Sequence, residues 1–400
     1  MPDTQLKRRI GPGLLTAYGV GVMVGAGIYV LVGAVAAQAG IFAPLAFLLA
    51  GLVAAPTALS YAEFSTRLPR AAGEALYVAQ GFRIDALALI VGLAIVVAGG
   101  ISAAAVLRGG AGYLQLVIAI PPEWAMIGIG LLLISVAIIG VLESLALAAL
   151  FTVIEVAGLA LVIWAGMKAP VSPDLVLPAM TPDLTGPILT GIVSGAVLAF
   201  FAFIGFEDIV NMAEEVRDPA RTLPRAILWS LAITALLYGG VTWVAVRAVP
   251  MDILMTSERP LALVWQAGQG GEARFLSAIA VVAALNGVLA QIVMAARVLY
   301  GLGERHAALA MFHRAHPRFG TPAVATALIG AAVIVTALVL PVATLAGATS
   351  FVLLSVFVLV NLALILLKRR APSAPFRVPM LVPVAGLVLS AMALGASILH

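Results

Sequence analysis

The sequence contains no cysteine and very little charge. Only 10% of its 400 residues are Asp, Glu, Lys or Arg, whereas 63% are hydrophobic. A soluble domain carries about 25% charged residues, so the composition excludes a water-soluble fold. The lack of cysteine excludes disulfide bonds and thiolate metal ligands. The four histidines lie in polar segments or at the chain end, and no His-Glu-x-x-His motif occurs, so we expect neither a metal site nor an enzyme.

Long apolar segments fill most of the chain. Each is long enough to cross the ~30 Å hydrocarbon core of a bilayer as a helix. Read between polar breaks, they predict an all-α membrane protein with about eleven transmembrane spans in one domain, residues 1–400. Spans 1 to 11 are predicted at 13–37, 42–62, 84–107, 124–142, 145–167, 187–212, 223–246, 275–298, 322–340, 345–367 and 379–399.

The distribution of Lys and Arg predicts the orientation of these spans. With the N-terminus in the cytoplasm, seventeen of the 22 basic residues fall on the inner side and five on the outer side, as the positive-inside rule requires. The segment after Lys7–Arg9 lacks the short apolar core and cleavage site of a signal peptide, so span 1 is predicted to be retained. We expect a bacterial plasma (inner) membrane protein surrounded by lipid, with no nucleic-acid partner. The sequence does not indicate its oligomeric state.

The order of the spans predicts an internal repeat. Five spans precede the loop around residues 170–187, and five follow it before the last span. An odd number of spans per half reverses the direction of the second half, which is the inverted-repeat architecture of many transporters. The first repeat is predicted at 13–167, the second at 187–367, and an extra helix at 379–399.

The first span of each predicted repeat contains residues that can interrupt a helix. Span 1 carries Gly25-Ala26-Gly27 near its midpoint, and span 6 carries Gly205 and Glu207 at a similar depth. A broken helix exposes backbone amides on one half and carbonyls on the other. The amides attract a carboxylate and the carbonyls attract an ammonium. Two facing breaks would therefore bind the main-chain groups of an α-amino acid. The alternative role of the glycines is close helix packing.

Several segments resemble a known family of membrane proteins. Gly21–Val30 in span 1 and Phe200–Ile227 in and after span 6 are similar to amino acid–polyamine–organocation permeases, most of all to the cationic amino acid transporter branch. The motifs Tyr61–Gly73, His316–Pro322 and Pro375–Pro379 follow in the expected order. The resemblance implies a LeuT-like 5+5 inverted repeat with spans 1 and 6 discontinuous. It also implies alternating access, with spans 1, 2, 6 and 7 moving against spans 3, 4, 8 and 9.

The resemblance also implies which positions bind the substrate. Backbone amides around Ala26 would receive the carboxylate, close to the Met23 carbonyl, and carbonyls of the span 6 break would receive the amino group. Phe203 and Phe206 would form walls or lids of the pocket. The residues predicted to bind substrate are Met23, Gly25, Ala26, Gly27, Ile28, Phe201, Ala202, Phe203, Ile204 and Gly205.

Three features depart from the family pattern. Relatives often have a lysine in span 5 that takes part in proton coupling, whereas this chain carries Glu155 at or near that place. Many relatives have two glycines before span 3, whereas this chain reads Gly73-Glu74. Most relatives have twelve spans, and eleven would leave the C-terminus outside.

Two carboxyl groups are candidates for proton coupling. Glu155 lies at the centre of span 5, where a carboxylate costs about 2.5–3.5 kcal/mol on insertion scales. It either carries the coupled proton or stays protonated or hydrogen-bonded and ties span 5 to span 1 or 8. Glu207 would sense an ammonium, lie on the proton route, gate the site or serve structure alone. Sodium is disfavoured because the middle of span 8, Ala283–Gln291, has no Ser or Thr.

These observations predict a secondary active transporter of an amino acid that works by proton symport and needs no cofactor besides protons. An amino acid/polyamine exchanger and a non-transporting amino-acid sensor of the same fold are the alternatives. The inner loop after span 6 carries dense charge, and we expect some of it to pair with Glu63, Arg67 or Arg70 to close an inner gate. These loop residues are Glu214, Glu215, Arg217, Asp218, Arg221 and Arg225.

Overall fold

Apolar α-helices make up most of the protein. A computed structural model describes residues 10–25, 27–69, 73–115, 118–139, 145–175, 186–213, 216–257, 259–271 and 274–399. Within these ranges the chain forms no β-strand, and the predicted all-α class is confirmed. The α-helices are α1 Pro12–Val24, α2 Gly27–Ala39, α3 Ala43–Arg67, α4 Gly73–Phe82, α5 Asp85–Leu114, α6 Pro122–Ile139, α7 Leu145–Lys168, α8 Pro187–Phe200, α9 Pro219–Ala248, α10 Met251–Thr256, α11 Pro260–Gln269, α12 Arg274–Arg305, α13 Ala323–Val339, α14 Val342–Arg370 and α15 Leu381–Leu399.

The helices fall on the ranges that the sequence predicts for the eleven spans. Nine helical segments of the described chain are long and apolar enough to cross a membrane. One of them, Gly27–Arg67, joins the second half of span 1 to span 2 through a short 3-10 turn. The first half of span 1 and span 9 are the shorter apolar helices α1 and α13. The short helices α4, α10 and α11 lie between spans, where the sequence predicted loops.

Eight of the eleven spans pack in two groups. Spans 1, 2, 6 and 7 contact one another through α1, α2, α3, α8 and α9, and spans 3, 4, 8 and 9 through α5, α6, α12 and α13. In lipid such contacts depend on small residues that let helix backbones approach. At Gly110 in α5, for example, an added Cβ would lie 2.5 Å from the Ala284 Cβ of α12. The grouping is the one that the resemblance implies, and relative motion of the groups stays a prediction.

Span 11 is held to the rest of the protein by buried polar side chains. α15 packs on α14 and α3, and its Ser390 hydroxyl lies 3.4 Å from the Thr57 hydroxyl of α3. Asn361 of α14 donates to Thr57 (2.8 Å) and accepts from Ser60 (2.7 Å). Because these groups have no water to bond in an apolar interior, their mutual hydrogen bonds fix how the three helices pack.

Candidate functional site

Span 1 is interrupted at its predicted position. α1 ends at Val24 and α2 begins at Gly27. Between them Gly25 adopts φ −38° and ψ −173°, a ψ value that takes the chain out of the helical path. Ala26, the centre of the predicted amide site, lies outside the described residues. The break leaves the Met23 carbonyl free to bond outside its own helix.

Span 6 is interrupted as well. α8 ends at Phe200, a 3-10 turn covers Phe201–Phe203, and a 3-10 helix resumes at Glu207. Gly205 lies between them with φ +123°, a conformation that strongly favours glycine. An added Cβ at Gly205 would lie 2.7 Å from Val22 Cγ1 and 3.2 Å from the Met23 nitrogen. The turn of span 6 therefore packs directly on the end of α1.

The second half of span 1 also packs on the turn of span 6. An added Cβ at Gly27, the first residue of α2, would lie 3.2 Å from the Ala202 Cα. The glycine therefore allows the second half of span 1 to approach the backbone of span 6. The two roles considered for the glycines, helix interruption and close packing, are both present at this point.

A tyrosine from span 7 joins the two breaks. The hydroxyl of Tyr238 in α9 lies 2.6 Å from the Met23 carbonyl oxygen and 2.8 Å from that of Ala202. Both carbonyls therefore face one point, where a single hydroxyl is their donor. Tyr238 is not among the residues predicted from the sequence to form the site. Its position in the middle of span 7 could have pointed to it, because a buried tyrosine hydroxyl usually has a hydrogen-bond partner.

Some of the remaining residues predicted to bind substrate lie beside the facing carbonyls, and others do not. The Phe203 ring packs edge-on against Tyr238 with centroids 5.1 Å apart, so it forms a wall beside the facing carbonyls. The Phe201 carbonyl accepts from the Ile204 amide (3.2 Å) and so closes the 3-10 turn. Ile28 is buried in the first turn of α2. Phe206 points elsewhere: its ring contacts Tyr61 and Phe357.

Glu155 faces the interior of the protein next to the break in span 1. Its side chain is fully buried, whereas Val153, two residues earlier, is 62% exposed on the outer face of α7. Neither carboxyl oxygen has a hydrogen-bond partner among the described residues. Its main-chain carbonyl accepts a bond from the Tyr29 hydroxyl of α2 (3.3 Å). This hydrogen bond between spans 5 and 1 thus uses the backbone of Glu155, and the carboxyl group has no partner in the described chain.

Glu207 and its neighbour have different partners. The Glu207 carboxylate accepts a bond from the Gly205 amide (2.9 Å), so it caps the turn of its own break. Asp208, to which the sequence assigned no role, accepts from the Gln291 amide of α12 at 3.5 Å. Gln291 thereby bridges spans 8 and 6, as polar residues in membrane helices often do.

Among the described residues, the charged groups at the inner end of span 2 pair with partners outside the expected loop. Glu63 forms ion pairs with Arg67 and Lys368, each at 2.6 Å, rather than with the loop after span 6. Within that loop, Asp218 pairs with Arg221 at 3.8 Å. The reason is that α14 brings Lys368 against α3. This contact between distant parts of the chain is not visible in the sequence. Arg70, Glu214 and Glu215 lie outside the described residues.

The spans and the site define a class of protein: a helical membrane transporter with two opposed, interrupted spans. The family model described as amino acid permease matches residues 14–399, and the chain belongs to the amino acid permease family. Members of this family are transporters and not enzymes.

Two relatives match nearly the whole chain, and a third matches 78% of it. The branched-chain amino acid permease BcaP of Bacillus subtilis is 28% identical over 97% of this chain and 87% of its own length. The methylthioribose transporter of Bacillus subtilis is 30% identical over 95% and 86%. The chloroplastic cationic amino acid transporter 9 of Arabidopsis thaliana is 31% identical over 78% of this chain and 58% of its own length.

Proposed function

We propose that the protein is a secondary active transporter of an amino acid, driven by proton symport and working by alternating access. It would lie in a bacterial plasma membrane with its N-terminus in the cytoplasm. The observation that carries this proposal is the convergence of the Met23 and Ala202 carbonyls, one from each interrupted span, on a single hydroxyl.

The facing carbonyls suit the amino group of the substrate. An ammonium carries three donors, whereas the Tyr238 hydroxyl carries one, so an ammonium would satisfy both carbonyls more completely. The break in span 1, centred on Gly25 and Gly27, would supply amides for the substrate carboxylate. The names of the branched-chain and cationic relatives also support an amino acid as substrate.

Glu155 suits the role of proton carrier. An ionised carboxylate without a partner is costly in an apolar interior, and its oxygens have no such partner among the described residues. While the site is closed, the group would hold its proton. When the site opens and water reaches it, the group would release the proton. The bond from the Tyr29 hydroxyl to the Glu155 main-chain carbonyl places this carboxyl group beside span 1.

The test is uptake by the purified protein in liposomes, screened with the twenty amino acids, with and without an inward proton gradient. We expect saturable, gradient-driven accumulation by the parent. Glu155→Gln should lose accumulation and keep counterflow, because exchange of substrate needs no net proton movement. The matched control is Glu123→Gln, which changes an exposed carboxyl in the first turn of α6 and should behave like the parent.

Other outcomes would contradict parts of the proposal. Accumulation by Glu155→Gln at the parental level would remove the proton role of Glu155. Uptake that requires an internal amino acid would identify an exchanger. Binding without flux would identify a sensor.

A further inference from the structure

The Tyr238 hydroxyl lies at the point where the two interrupted spans meet. Its oxygen is 2.6 Å from the Met23 carbonyl oxygen and 2.8 Å from that of Ala202. An ammonium nitrogen bonds carbonyl oxygens at about the same distances. The hydroxyl oxygen therefore lies where the amino group of the proposed substrate would lie.

Both carbonyls are available to this hydroxyl because of how the two breaks are built. Met23 is in the last turn of α1, where carbonyls have no amide of their own helix to bond. In span 6, continuing the 3-10 turn would need a bond from the Gly205 amide to the Ala202 carbonyl. The Gly205 amide donates instead to the Glu207 carboxylate (2.9 Å). Each break thus presents one carbonyl to Tyr238.

The two carbonyls lie in a region that is closed to solvent. Met23, Ala202 and Tyr238 are each at most 2% exposed. A buried carbonyl that loses its donor cannot turn to water instead, so its desolvation is not compensated. Closing the two breaks over these carbonyls is therefore costly unless a donor lies between them.

The Tyr238 ring is held in place by packing. The Phe47 ring of α3 packs edge-on against it with centroids 5.8 Å apart, and the Phe203 ring of the span 6 turn packs against it at 5.1 Å. Gly51 of α3 leaves room for Phe203, because an added Cβ there would lie 3.1 Å from the Phe203 Cζ. Two rings from different spans thus fix the position from which the hydroxyl donates.

We propose that the Tyr238 hydroxyl takes the place of the substrate amino group and allows the transporter to close without substrate. The incoming ammonium displaces the hydroxyl from the two carbonyls, and the hydroxyl returns when the substrate leaves. The inference rests on the proposed function and specifies its mode. A carrier that can close without substrate performs net transport, whereas one that cannot is limited to exchange.

The two modes of transport use the hydroxyl differently. In exchange, the carrier holds substrate each time it crosses, so an ammonium supplies the donors to both carbonyls. In net transport, the carrier returns without substrate, and the hydroxyl is then the donor. Removing the hydroxyl should therefore slow net transport and spare exchange.

The experiment measures both modes in liposomes loaded with radiolabelled leucine, or with arginine if leucine is not carried. Dilution into buffer without amino acid gives net efflux, and dilution into saturating unlabelled amino acid gives exchange, both at equal pH and zero membrane potential. We expect both modes in the parent. Tyr238→Phe should lower net efflux about tenfold and keep exchange, because its return leaves buried carbonyls unpaired. Tyr113→Phe, which removes a phenol–carbonyl bond of 2.7 Å to Tyr29, is the control and should leave the ratio of the two rates unchanged.

A second variant covers the case in which Tyr238→Phe does not fold. Phe47→Leu keeps the hydroxyl but removes one of the rings that hold it, and should lower the ratio of net efflux to exchange about threefold. A proton gradient should still stimulate net transport in both variants, unlike in Glu155→Gln. This response separates the return of the carrier from the proton step.

Several results would overturn the proposal. A parental ratio of net efflux to exchange in either folded variant would do so. An equal fall in both rates would assign the hydroxyl to substrate binding or to the fold, and a lost response to the proton gradient would assign it to the proton step. These results reject the role of Tyr238 alone. Exchange without net efflux in the parent rejects symport as well, and a parent that carries no amino acid in either mode rejects the whole proposed function.

Discussion

Glu63 and Glu155 are both fully buried carboxyl groups on membrane-spanning helices, yet their surroundings differ. The Glu63 carboxylate accepts bonds from Arg67 (2.6 Å), Lys368 (2.6 Å) and the Val378 amide (2.9 Å). The carboxyl oxygens of Glu155 have no hydrogen-bond partner in the part of the chain that the structure describes. The depth of a carboxyl group therefore does not reveal its role, whereas its partners do.

Glu63 anchors the segment that leads into span 11. Arg67 donates to the carbonyls of Ala371 (2.7 Å) and Ser373 (3.0 Å), and Lys368 donates to the Val378 carbonyl (2.6 Å). The end of α3 is thus joined to α14 and to the segment that precedes α15. The Pro375–Pro379 motif of the family resemblance has a structural explanation here, because it lies in the segment that covers this carboxylate.

The largest effect is expected from Glu63→Gln. The amide carries no charge, so Lys368 and Arg67 would stay largely buried without a counterion. Breaking a buried ion pair in this way costs about 3–5 kcal/mol. Thermal unfolding of the purified protein in detergent should show a clearly lower Tm. Asp218→Asn, which removes an ion pair exposed to solvent, is the control and should leave Tm unchanged. Equal Tm values for Glu63→Gln and the parent would refute the anchor.

The second prediction concerns the break in span 6. Gly205→Ala forces an L-residue into φ +123° and places its Cβ 2.7 Å from Val22 Cγ1. Such backbone strain costs about 1–3 kcal/mol, and the displaced turn should abolish uptake in liposomes. Gly128→Ala in α6 is the matched control, since no atom lies within 4 Å of an added Cβ there. Normal uptake by Gly205→Ala would show that the geometry of the turn is not needed.

The sequence predicted the spans and both breaks because these are local properties. Apolar length identifies a membrane helix, and the Gly25–Gly27 and Gly205 positions weaken one. The partners of the site were not predictable in this way. Tyr238 is 215 residues from Met23 in the chain, and Lys368 is 305 residues from Glu63. Only helix packing brings such pairs together.

The third prediction separates the two functions of the Tyr238 hydroxyl. Tyr238→Phe leaves the carbonyls of Met23 and Ala202 without their donor, and buried unpaired groups cost about 1–3 kcal/mol. The unliganded protein should lose stability, and a saturating substrate should raise its Tm by more than it raises that of the parent, because the ammonium restores the missing bonds. Tyr113→Phe removes a comparable bond to the Tyr29 carbonyl (2.7 Å) and should show no such extra rise. A smaller rise in Tyr238→Phe would mean that the hydroxyl binds the substrate itself.

The smallest effect on stability is expected from Glu155→Gln, which completes the comparison with Glu63. Because the Glu155 carboxyl has no partner among the described residues, an amide of the same shape breaks no hydrogen bond and leaves no counterion. While the site is closed, a neutral amide replaces a carboxyl group that is itself proposed to be neutral, so the substitution changes no buried charge. Thermal unfolding should therefore give a Tm close to that of the parent, whereas the same substitution at position 63 lowers Tm. A fall in Tm as large as that of Glu63→Gln would make Glu155 a second anchor, and its loss of proton-driven accumulation would then reflect damage to the fold.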